Sequence, residues 1–261
     1  MKRAVILAAG LGKRLGNLTK DIPKCLLVVE PESKKTLLDF LLSALSDNGI
    51  NEIIIVTGFA EEALKKHIST NWSDKFSVHY IFNDKFSDYN NIYSAYLARN
   101  VWDDETVLLN SDIIFHPDIL RNLYREDSRG VLQYASTSFL IVDNSKTLTS
   151  ESMKTEIDKE GKIRKINKNL DIKTSFGEYI GITYLRGSER VKFLKSLEKN
   201  VKDKRLDIYY EDALADILSD SSVFPCSTLS MPWTEVDTEE DLSHAREIAK
   251  KINNLATANI K

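Results

Sequence analysis

The first residues that could do chemistry lie in a short loop near the N-terminus. Gly10 and Gly12 stand just before Lys13 and Arg14. Glycines let backbone N–H groups approach a ligand closely, and neighbouring cationic side chains suit a polyphosphate. The loop therefore predicts a nucleotide site. The structural alternative is an ordinary glycine turn after a first strand, in which Lys13 is a solvated surface charge.

A further cationic residue follows ten positions after Arg14. Pro23 precedes Lys24, and a rigid turn at the proline would hold the lysine ammonium in a fixed place. An ammonium held in this way can follow the charge that builds on a reacting phosphate. The spacing differs from G-x-G-x-x-G and from a Walker loop, because no Gly-Lys-Ser/Thr sequence follows the glycines.

Two aspartates at predicted strand ends are candidates for a metal site. Asp112 lies between two apolar stretches, where an uncompensated carboxylate is costly, so we expect a cation beside it. Asp237 follows a short predicted strand, and Thr238 is expected to cap the helix behind it. The two aspartates could hold Mg²⁺, which favours carboxylates, waters and phosphate oxygens. A turn or helix-cap role for Asp112 is the structural alternative.

The elements that must position these residues alternate between strand and helix. The predicted strands cover residues 4–9, 26–29, 52–57, 78–83 and 106–110, and the predicted helices cover 36–46, 61–68 and 91–99. This alternation predicts parallel pairing with right-handed crossovers, in a Rossmann-like α/β fold with a mixed, mainly parallel sheet flanked by helices. Ligands bind off the carboxyl ends of such strands, so the glycine loop, Asn83 and Asp112 are expected to converge.

Composition limits the class of protein. The 261 residues are 42% hydrophobic and 29% charged, with a net charge of −3, which argues against a general nucleic-acid or membrane binder. Cys25 and Cys226 are too few for a disulfide framework, and no segment reads as a membrane helix or a secretory signal. We therefore expect a cytoplasmic protein.

A single domain is expected over residues 1–252. Within it, residues 134–169 are expected to form a β-hairpin insertion or lid, a small β projection with its turn at 158–162. Residues 253–261 are expected to be a frayed tail.

The glycine loop with its arginine, followed by Pro-Lys, resembles the sugar-phosphate nucleotidylyltransferases. The resemblance implies a fold like that of glycosyltransferase-A enzymes, a nucleoside triphosphate, and catalytic roles for Arg14, Lys24, Asp112 and Asp237. It also implies that Asp112 and Asp237 bind Mg²⁺. The implied nucleotide-binding residues are Leu7, Ala8, Ala9, Gly10, Gly12, Lys13, Arg14, Lys24, Asn83, Asp88, Tyr89, Asn90 and Ser111.

A narrower resemblance concerns the nucleotide and the second substrate. The segment Asp88-Tyr89-Asn90-Asn91 is similar to one in phosphocholine and phosphonate cytidylyltransferases, which implies CTP and a small phosphorylated or phosphonate acceptor. Aromatic rings beside carboxylates suit a cationic head group. The candidate acceptor residues are Glu178, Tyr179, Tyr209, Tyr210, Glu211 and Trp233. The structural alternatives are that one of the two adjacent tyrosines packs a helix on the sheet and that the tryptophan only holds the last strand.

Other functions remain open at this point. A hexose-1-phosphate nucleotidylyltransferase using UTP or dTTP is the nearest alternative. A nucleotide-sugar glycosyltransferase would not need the glycine loop or Pro-Lys, and a non-catalytic relative should have lost one of the four catalytic residues. The sequence leaves the acceptor's identity open, as well as the choice between a monomer and a homodimer.

Overall fold

The computed structural model describes residues 1–124 and 137–258. The strands are β1 (Arg3–Ala8), β2 (Val28–Glu30), β3 (Lys35–Thr36), β4 (Glu52–Thr57), β5 (Ser77–Phe82), β6 (Thr106–Asn110), β7 (Ile113–Phe115), β8 (Ser138–Asp143), β9 (Lys154–Ile157), β10 (Ile163–Asn167), β11 (Gly177–Tyr184), β12 (Val223–Ser227) and β13 (Trp233–Glu235). The helices are α1 (Leu37–Asp47), α2 (Glu61–Asn71), α3 (Asn91–Leu97), α4 (Asp118–Arg121), α5 (Gly187–Lys202), α6 (Tyr210–Leu218) and α7 (Glu239–Ala258). None of these helices is both long and apolar enough to cross a membrane.

Within the described residues, nine strands form one mixed sheet. Its main path runs in the order β10-β9-β11-β6-β1-β4-β5, and β8 pairs with both β11 and β12. The adjacent strands β6, β1, β4 and β5 are all parallel, whereas β11 is antiparallel to β6, β8 and β9. The predicted Rossmann-like α/β class with a mixed, mainly parallel sheet is confirmed.

The central strands are apolar on both faces because helices cover both faces. In β1, Ala4 and Ile6 pack in a core that includes side chains of α1 and α2. Val5 and Leu7 pack in a second core that includes side chains of α3, α5 and α6. Successive side chains of a strand point to opposite faces, so a continuous apolar run is expected in a strand that is covered by helices on both faces. Burying one aliphatic side chain contributes roughly 1.5–3 kcal/mol, so the double cover firmly positions the strand ends.

The region expected to be a β-hairpin insertion contains two kinds of strand. β9 and β10 form an antiparallel pair at one end of the sheet. In the turn between them, Asp158 accepts backbone N–H bonds from Glu160 at 2.8 Å and Lys162 at 3.0 Å. β8 lies instead between β11 and β12, so this part of the region does not project from the sheet. Residues 134–136 lie outside the described residues.

The last helix is longer than the sequence indicates. α7 runs to Ala258, whereas the sequence predicts a frayed tail from residue 253 onward. Ile252 packs in an apolar cluster with side chains of β2, and the Asn253 amide donates a hydrogen bond to Glu30. These contacts explain why the helix continues. Residues 259–261 lie outside the described residues.

Helix α1 begins with a capping box that is extended by a histidine and a tryptophan. Asp39 accepts hydrogen bonds from the backbone N–H and the hydroxyl of Thr36, both at 2.8 Å. The other carboxylate oxygen lies 2.7 Å from Trp72 Nε1 and 2.7 Å from His67 Nε2, which ties α2 to α1. Burial opposes ionisation of Asp39, but these hydrogen bonds outweigh it and lower the pKa of the carboxyl to about 2.

We expect Asp39→Asn to lower the free energy of unfolding at neutral pH by about 2–3 kcal/mol, because the folded state favours the ionised carboxyl by that amount. The contribution is present above the unfolded pKa of about 3.9. It is lost as pH falls through the folded pKa of about 2. Urea unfolding measured from neutral to acidic pH should show the gap to wild type closing in this window.

The control for this prediction is Asp47→Asn, at an exposed position of the same helix. We expect it to change stability by no more than about 0.5 kcal/mol at any pH. A gap between Asp39→Asn and wild type that stayed constant down to about pH 2 would contradict the ionisation argument.

Candidate functional site

A cavity of about 610 Å³ opens at the carboxyl ends of the parallel strands. Loops that follow β1, β5 and β6 form part of its wall, as expected for a site in an open α/β sheet. The residues predicted to bind the nucleotide all line it: Leu7, Ala8, Ala9, Gly10, Gly12, Lys13, Arg14, Lys24, Asn83, Asp88, Tyr89, Asn90 and Ser111. The predicted metal ligands Asp112 and Asp237 line the same cavity, so the nucleotide and metal candidates come together.

The backbone of the glycine loop presents its cations to this cavity. Gly12 has φ near 61°, and its carbonyl accepts the N–H of Leu15 at 3.0 Å and the hydroxyl of Thr19 at 2.9 Å. A Cβ at this position would lie 3.1 Å from the Thr19 side chain, so glycine avoids both strain and crowding. Leu15 is fully buried and anchors the turn, while Lys13 and Arg14 remain exposed beside the cavity.

Lys24 lies between the two predicted metal ligands. Pro23 precedes a 3-10 turn (Lys24–Leu26) that is anchored by the buried Cys25. The Lys24 ammonium is 2.6 Å from Asp112 Oδ2 and 2.8 Å from Asp237 Oδ1. Burial alone would lower the pKa of Lys24, but the charges of the two aspartates raise it above its usual value. The lysine is therefore a fixed, fully charged group.

Asp237 also binds the arginine of the glycine loop. Arg14 Nη2 lies 2.7 Å from Asp237 Oδ2, whereas Lys24 contacts the other oxygen, Oδ1. Burial opposes ionisation of Asp237, but Lys24 and then Arg14 outweigh it, and the pKa of the carboxyl is lowered. The loop behind the carboxylate is held by a capping box, in which Asp241 accepts N–H bonds from Asp237 and Thr238.

Pairing of β13 with β7 brings the two aspartates together. Strands β13 and β7 are antiparallel, and the N–H of Val236 donates to the backbone carbonyl of Asp112 at 2.9 Å. The same pairing adds Glu235, which the sequence interpretation did not select. Carboxylate oxygens of Asp112, Glu235 and Asp237 lie within 4.8 Å of one another. Residues two apart in an extended segment lie on the same face, so this spacing could have identified Glu235 as a partner of Asp237 from the sequence.

These three carboxylates fit a hard divalent cation. Mg²⁺ prefers oxygen ligands, and carboxylates with waters and phosphates are its usual partners in proteins. Asp112 Oδ1 is buried and has no hydrogen-bond partner among the described residues, so a ligand oxygen is available there. Desolvation beside the acidic cluster, together with the charges of Asp112 and Asp237, raises the pKa of Glu235, although its side chain is exposed. Three acids held this close favour a bound cation.

The acceptor side of the cavity contains three of the predicted residues, Tyr179, Tyr209 and Glu211. The Tyr179 hydroxyl hydrogen-bonds to other buried hydroxyls, whereas Tyr209 is 43% exposed. Glu211 is buried, yet its Oε2 has no hydrogen-bond partner among the described residues. Burial, and to a lesser degree nearby acids, raise the pKa of Glu211 to about 7. A cationic ligand group would satisfy this carboxyl.

Three other residues predicted to bind the acceptor do not line the cavity. Tyr210 is fully buried and bonds a tyrosine hydroxyl of β11, so it packs α6 on the sheet. Trp233 donates to Asp143 at 2.6 Å and lines a separate groove. Glu178 pairs with Lys146 at 2.8 Å. Successive strand residues point to opposite faces, so Glu178 points away from the face on which its neighbour Tyr179 lines the cavity. The structure therefore places these three residues outside the cavity wall, away from the predicted acceptor position.

The structure adds a cation on the acceptor side that the sequence interpretation missed. Lys168 follows β10 and lines the cavity, with its ammonium 6.0 Å from the centroid of the Tyr209 ring. It also lies 3.7 Å from the carboxylate of Glu151, another lining residue. Both residues come from a polar, charged stretch in which sequence alone gives no signal to single out one lysine.

Comparison with known proteins gives two kinds of sequence match. The family profile described as Nucleotidyl transferase matches residues 3–161. The choline-phosphate cytidylyltransferase of Streptococcus pneumoniae is 30% identical over 253 residues, which cover 96% of this chain and 100% of that relative. The CMP-5'-(3-aminopropyl)phosphonate synthase of Streptomyces rubellomurinus is 36% identical over 121 residues, which cover 46% of this chain and 19% of that protein.

The fold has solved counterparts. The inositol-1-phosphate CTP transferase from T. maritima aligns with a TM-score of 0.74 at 24% identity, covering 97% of this chain and 96% of that chain. This likeness supports the α/β fold. The family profile spans more than half of the chain, and the S. pneumoniae relative is matched over its full length. The resemblance found in the glycine loop and Pro-Lys is thereby confirmed, and the chain belongs to the nucleotidyl transferase family.

Proposed function

We propose that this chain is a Mg²⁺-dependent cytidylyltransferase that joins CTP to a small phosphorylated or phosphonate acceptor and releases pyrophosphate. The observation that carries the proposal is the Lys24 ammonium bridging Asp112 and Asp237 beside the glycine loop. Membership of the nucleotidyl transferase family supports the reaction type. The names of the matched relatives, a choline-phosphate cytidylyltransferase and an aminopropylphosphonate synthase, support CTP and this class of acceptor.

The reaction brings two anions together. An oxygen of the acceptor's phosphate or phosphonate forms a bond to the α-phosphorus of CTP, and the bond from that phosphorus to the bridging oxygen of pyrophosphate breaks. Positioning and neutralisation of charge supply most of the catalysis in such transfers. We assign Arg14 to the leaving pyrophosphate and Lys24 to the reacting phosphate, because both cations line the cavity and pair with Asp237.

The metal ligands in this proposal are Asp112 and Asp237, with Glu235 beside them. The fit rests on three clustered carboxylates and on the unpartnered Oδ1 of Asp112. When bound, Mg²⁺ supplies positive charge that offsets the repulsion between the two phosphate groups. Within the protein itself, Lys24 and Arg14 hold the same aspartates in place.

The acceptor region suits a molecule with an anion at one end and a cation at the other. We assign the phosphate or phosphonate to Lys168 and the cationic head group to Glu211 and the Tyr209 ring. All three residues line the cavity, and the Lys168 ammonium lies near the Tyr209 ring. The unpartnered oxygen of Glu211 and the partly exposed aromatic ring of Tyr209 favour a positively charged group.

We place this reaction in the cytoplasm, which supplies nucleoside triphosphates. Cys25 and Cys226 are both free and buried, which fits a reducing compartment.

The direct test measures pyrophosphate release by the purified chain with each nucleoside triphosphate. The acceptors are phosphocholine, phosphoethanolamine, an aminoalkylphosphonate, a polyol phosphate and glucose 1-phosphate. We expect release with CTP and an acceptor that carries a positive charge. Release only with UTP or dTTP and glucose 1-phosphate would overturn the proposal in favour of a hexose-1-phosphate nucleotidylyltransferase.

We expect Lys24→Met to lower kcat by about 100-fold or more, because it removes a preorganised cation from the reacting phosphate. Steady-state kinetics with the preferred substrates measures the effect, and circular dichroism verifies that the variant folds. The control is Lys20→Met, which removes an exposed lysine four positions earlier and should change kcat by less than about twofold. A folded Lys24→Met variant with nearly normal kcat would exclude the lysine from the chemistry.

Removal of metal should abolish pyrophosphate release, and added Mg²⁺ should restore it. We also expect Asp112→Asn to weaken Mn²⁺ binding, measured by electron paramagnetic resonance, by about tenfold or more, because it removes a charged ligand. The control is Asp118→Asn, whose carboxylate pairs with Arg121 outside the cavity. Full activity in excess EDTA, or equal Mn²⁺ affinity for both variants, would contradict the proposed metal site.

A further inference from the structure

Lys154, at the start of β9, carries a charge that is almost completely buried, with 1% of the residue exposed. Within the described residues, every hydrogen bond that its ammonium donates goes to a backbone carbonyl. The nitrogen lies 3.1 Å from the carbonyl of Thr149, 3.2 Å from that of Ser150 and 3.0 Å from that of Ser152, and it also donates to the carbonyl of Lys168. An ammonium has three N–H donors, so these carbonyls saturate it.

The ring of carbonyls explains how a lysine is tolerated here. An isolated buried ammonium is costly, and carbonyl dipoles aimed at the charge offset that cost. The reverse also holds, because removal of the ammonium would take a donor from all four carbonyls, and the bond to the carbonyl of Ser152 is buried. Lys154 and its carbonyl ring therefore depend on each other.

The carbonyl ring joins two chain segments that both border the cavity. The segment 149–152 supplies the side chain of Glu151 to the cavity wall, and Lys168 supplies its own side chain. The side chains of Glu151 and Lys168 also form an ion pair at 3.7 Å, but Glu151 is 79% exposed. Exposed ion pairs of this kind contribute little to stability. The buried ammonium of Lys154 is the stronger link between the two segments.

The segment 149–152 is also hydrogen-bonded to the main sheet. Ser152 Oγ accepts the N–H of Thr149 at 3.1 Å and donates to Glu178 Oε2 at 3.0 Å. Glu178 belongs to β11, which lies in the main sheet next to β6. Lys154 thus connects the segment after β10 to a loop that is already attached to the rigid part of the molecule.

We propose that Lys154 is a positioning residue of the acceptor site, whose buried ammonium holds Lys168 to the segment 149–152 and so holds the Lys168 side chain against the cavity. This inference rests on the proposed function, in which Lys168 meets the phosphate or phosphonate of the acceptor. Lys154 itself does not line the cavity. Its effect on the reaction passes through Lys168.

The kinetic test uses Lys154→Met, which removes the charge and keeps the length of the side chain. The KM for the acceptor should rise by about tenfold or more while the KM for CTP changes by less than about twofold, because only the acceptor meets the displaced group. The matched control is Lys165→Met, which removes a lysine that is 63% exposed on β10 and should leave both constants unchanged. Equal increases of both KM values would overturn the positioning role.

A double variant tests whether Lys154 acts through Lys168. If it does, Lys154→Met combined with Lys168→Met should have the same acceptor KM as Lys168→Met alone, because the displaced group is already absent. Multiplied effects of the two substitutions would show independent roles and would overturn the inference.

Amide hydrogen exchange measures the link itself without any substrate, so it is independent of the proposed function. Lys154→Met should speed exchange at residues 149–153 and 167–169 and leave β1 unchanged. If this variant does not fold, Lys154→Gln, which keeps two N–H donors, serves for the same measurement. Faster exchange confined to the two segments supports the link. Unchanged exchange overturns it, whether or not the chain transfers cytidylyl groups.

Discussion

The contact of the Lys24 ammonium with the carboxylates of Asp112 and Asp237 joins three distant parts of the chain. Lys24 follows β1, Asp112 follows β6 and Asp237 follows β13, so the contact needs β1 beside β6 and β13 beside β7. Partly buried charges are stable only when they are paired at short distance. The sheet order and the strand pairings therefore hold this group of charges together.

Much of the site follows from sequence because its residues lie at strand ends. The strands over Glu52–Thr57 and Thr106–Asn110 have the predicted bounds, and residues after parallel strands share one edge of the sheet. Tyr210 and Trp233 could not be assigned in the same way, since their role depends on which face of an element is covered. Lys168 was missed for a different reason. Its place at the cavity depends on the pairing of β9 with β11 of the main sheet, which no local pattern specifies.

The two sides of the cavity are built differently. The proposed nucleotide side consists of loops attached to parallel strands that are buried on both faces. The proposed acceptor side uses the start of α6, the antiparallel strands β9 to β11, and polar links such as the carbonyl ring around Lys154 and the bond from Ser152 to Glu178. In the described sheet, β9 and β10 do not pair with the parallel strands that carry the nucleotide loops, so we expect substitutions in these two strands to disturb those loops little.

The charge pairs in the cavity also link the binding of metal to the binding of nucleotide. Arg14 and Lys24 contact the same carboxylates that are proposed to hold the metal. A metal ion at the aspartates would displace Arg14 and Lys24 from them, and the phosphates of a bound nucleotide would then pair with these two side chains. Either ligand alone would leave a partly buried charge without its partner, which is strongly unfavourable. We therefore expect metal and triphosphate to bind more tightly together than separately. This reciprocal coupling arises from four side chains, Arg14, Lys24, Asp112 and Asp237, and needs no movement of the fold.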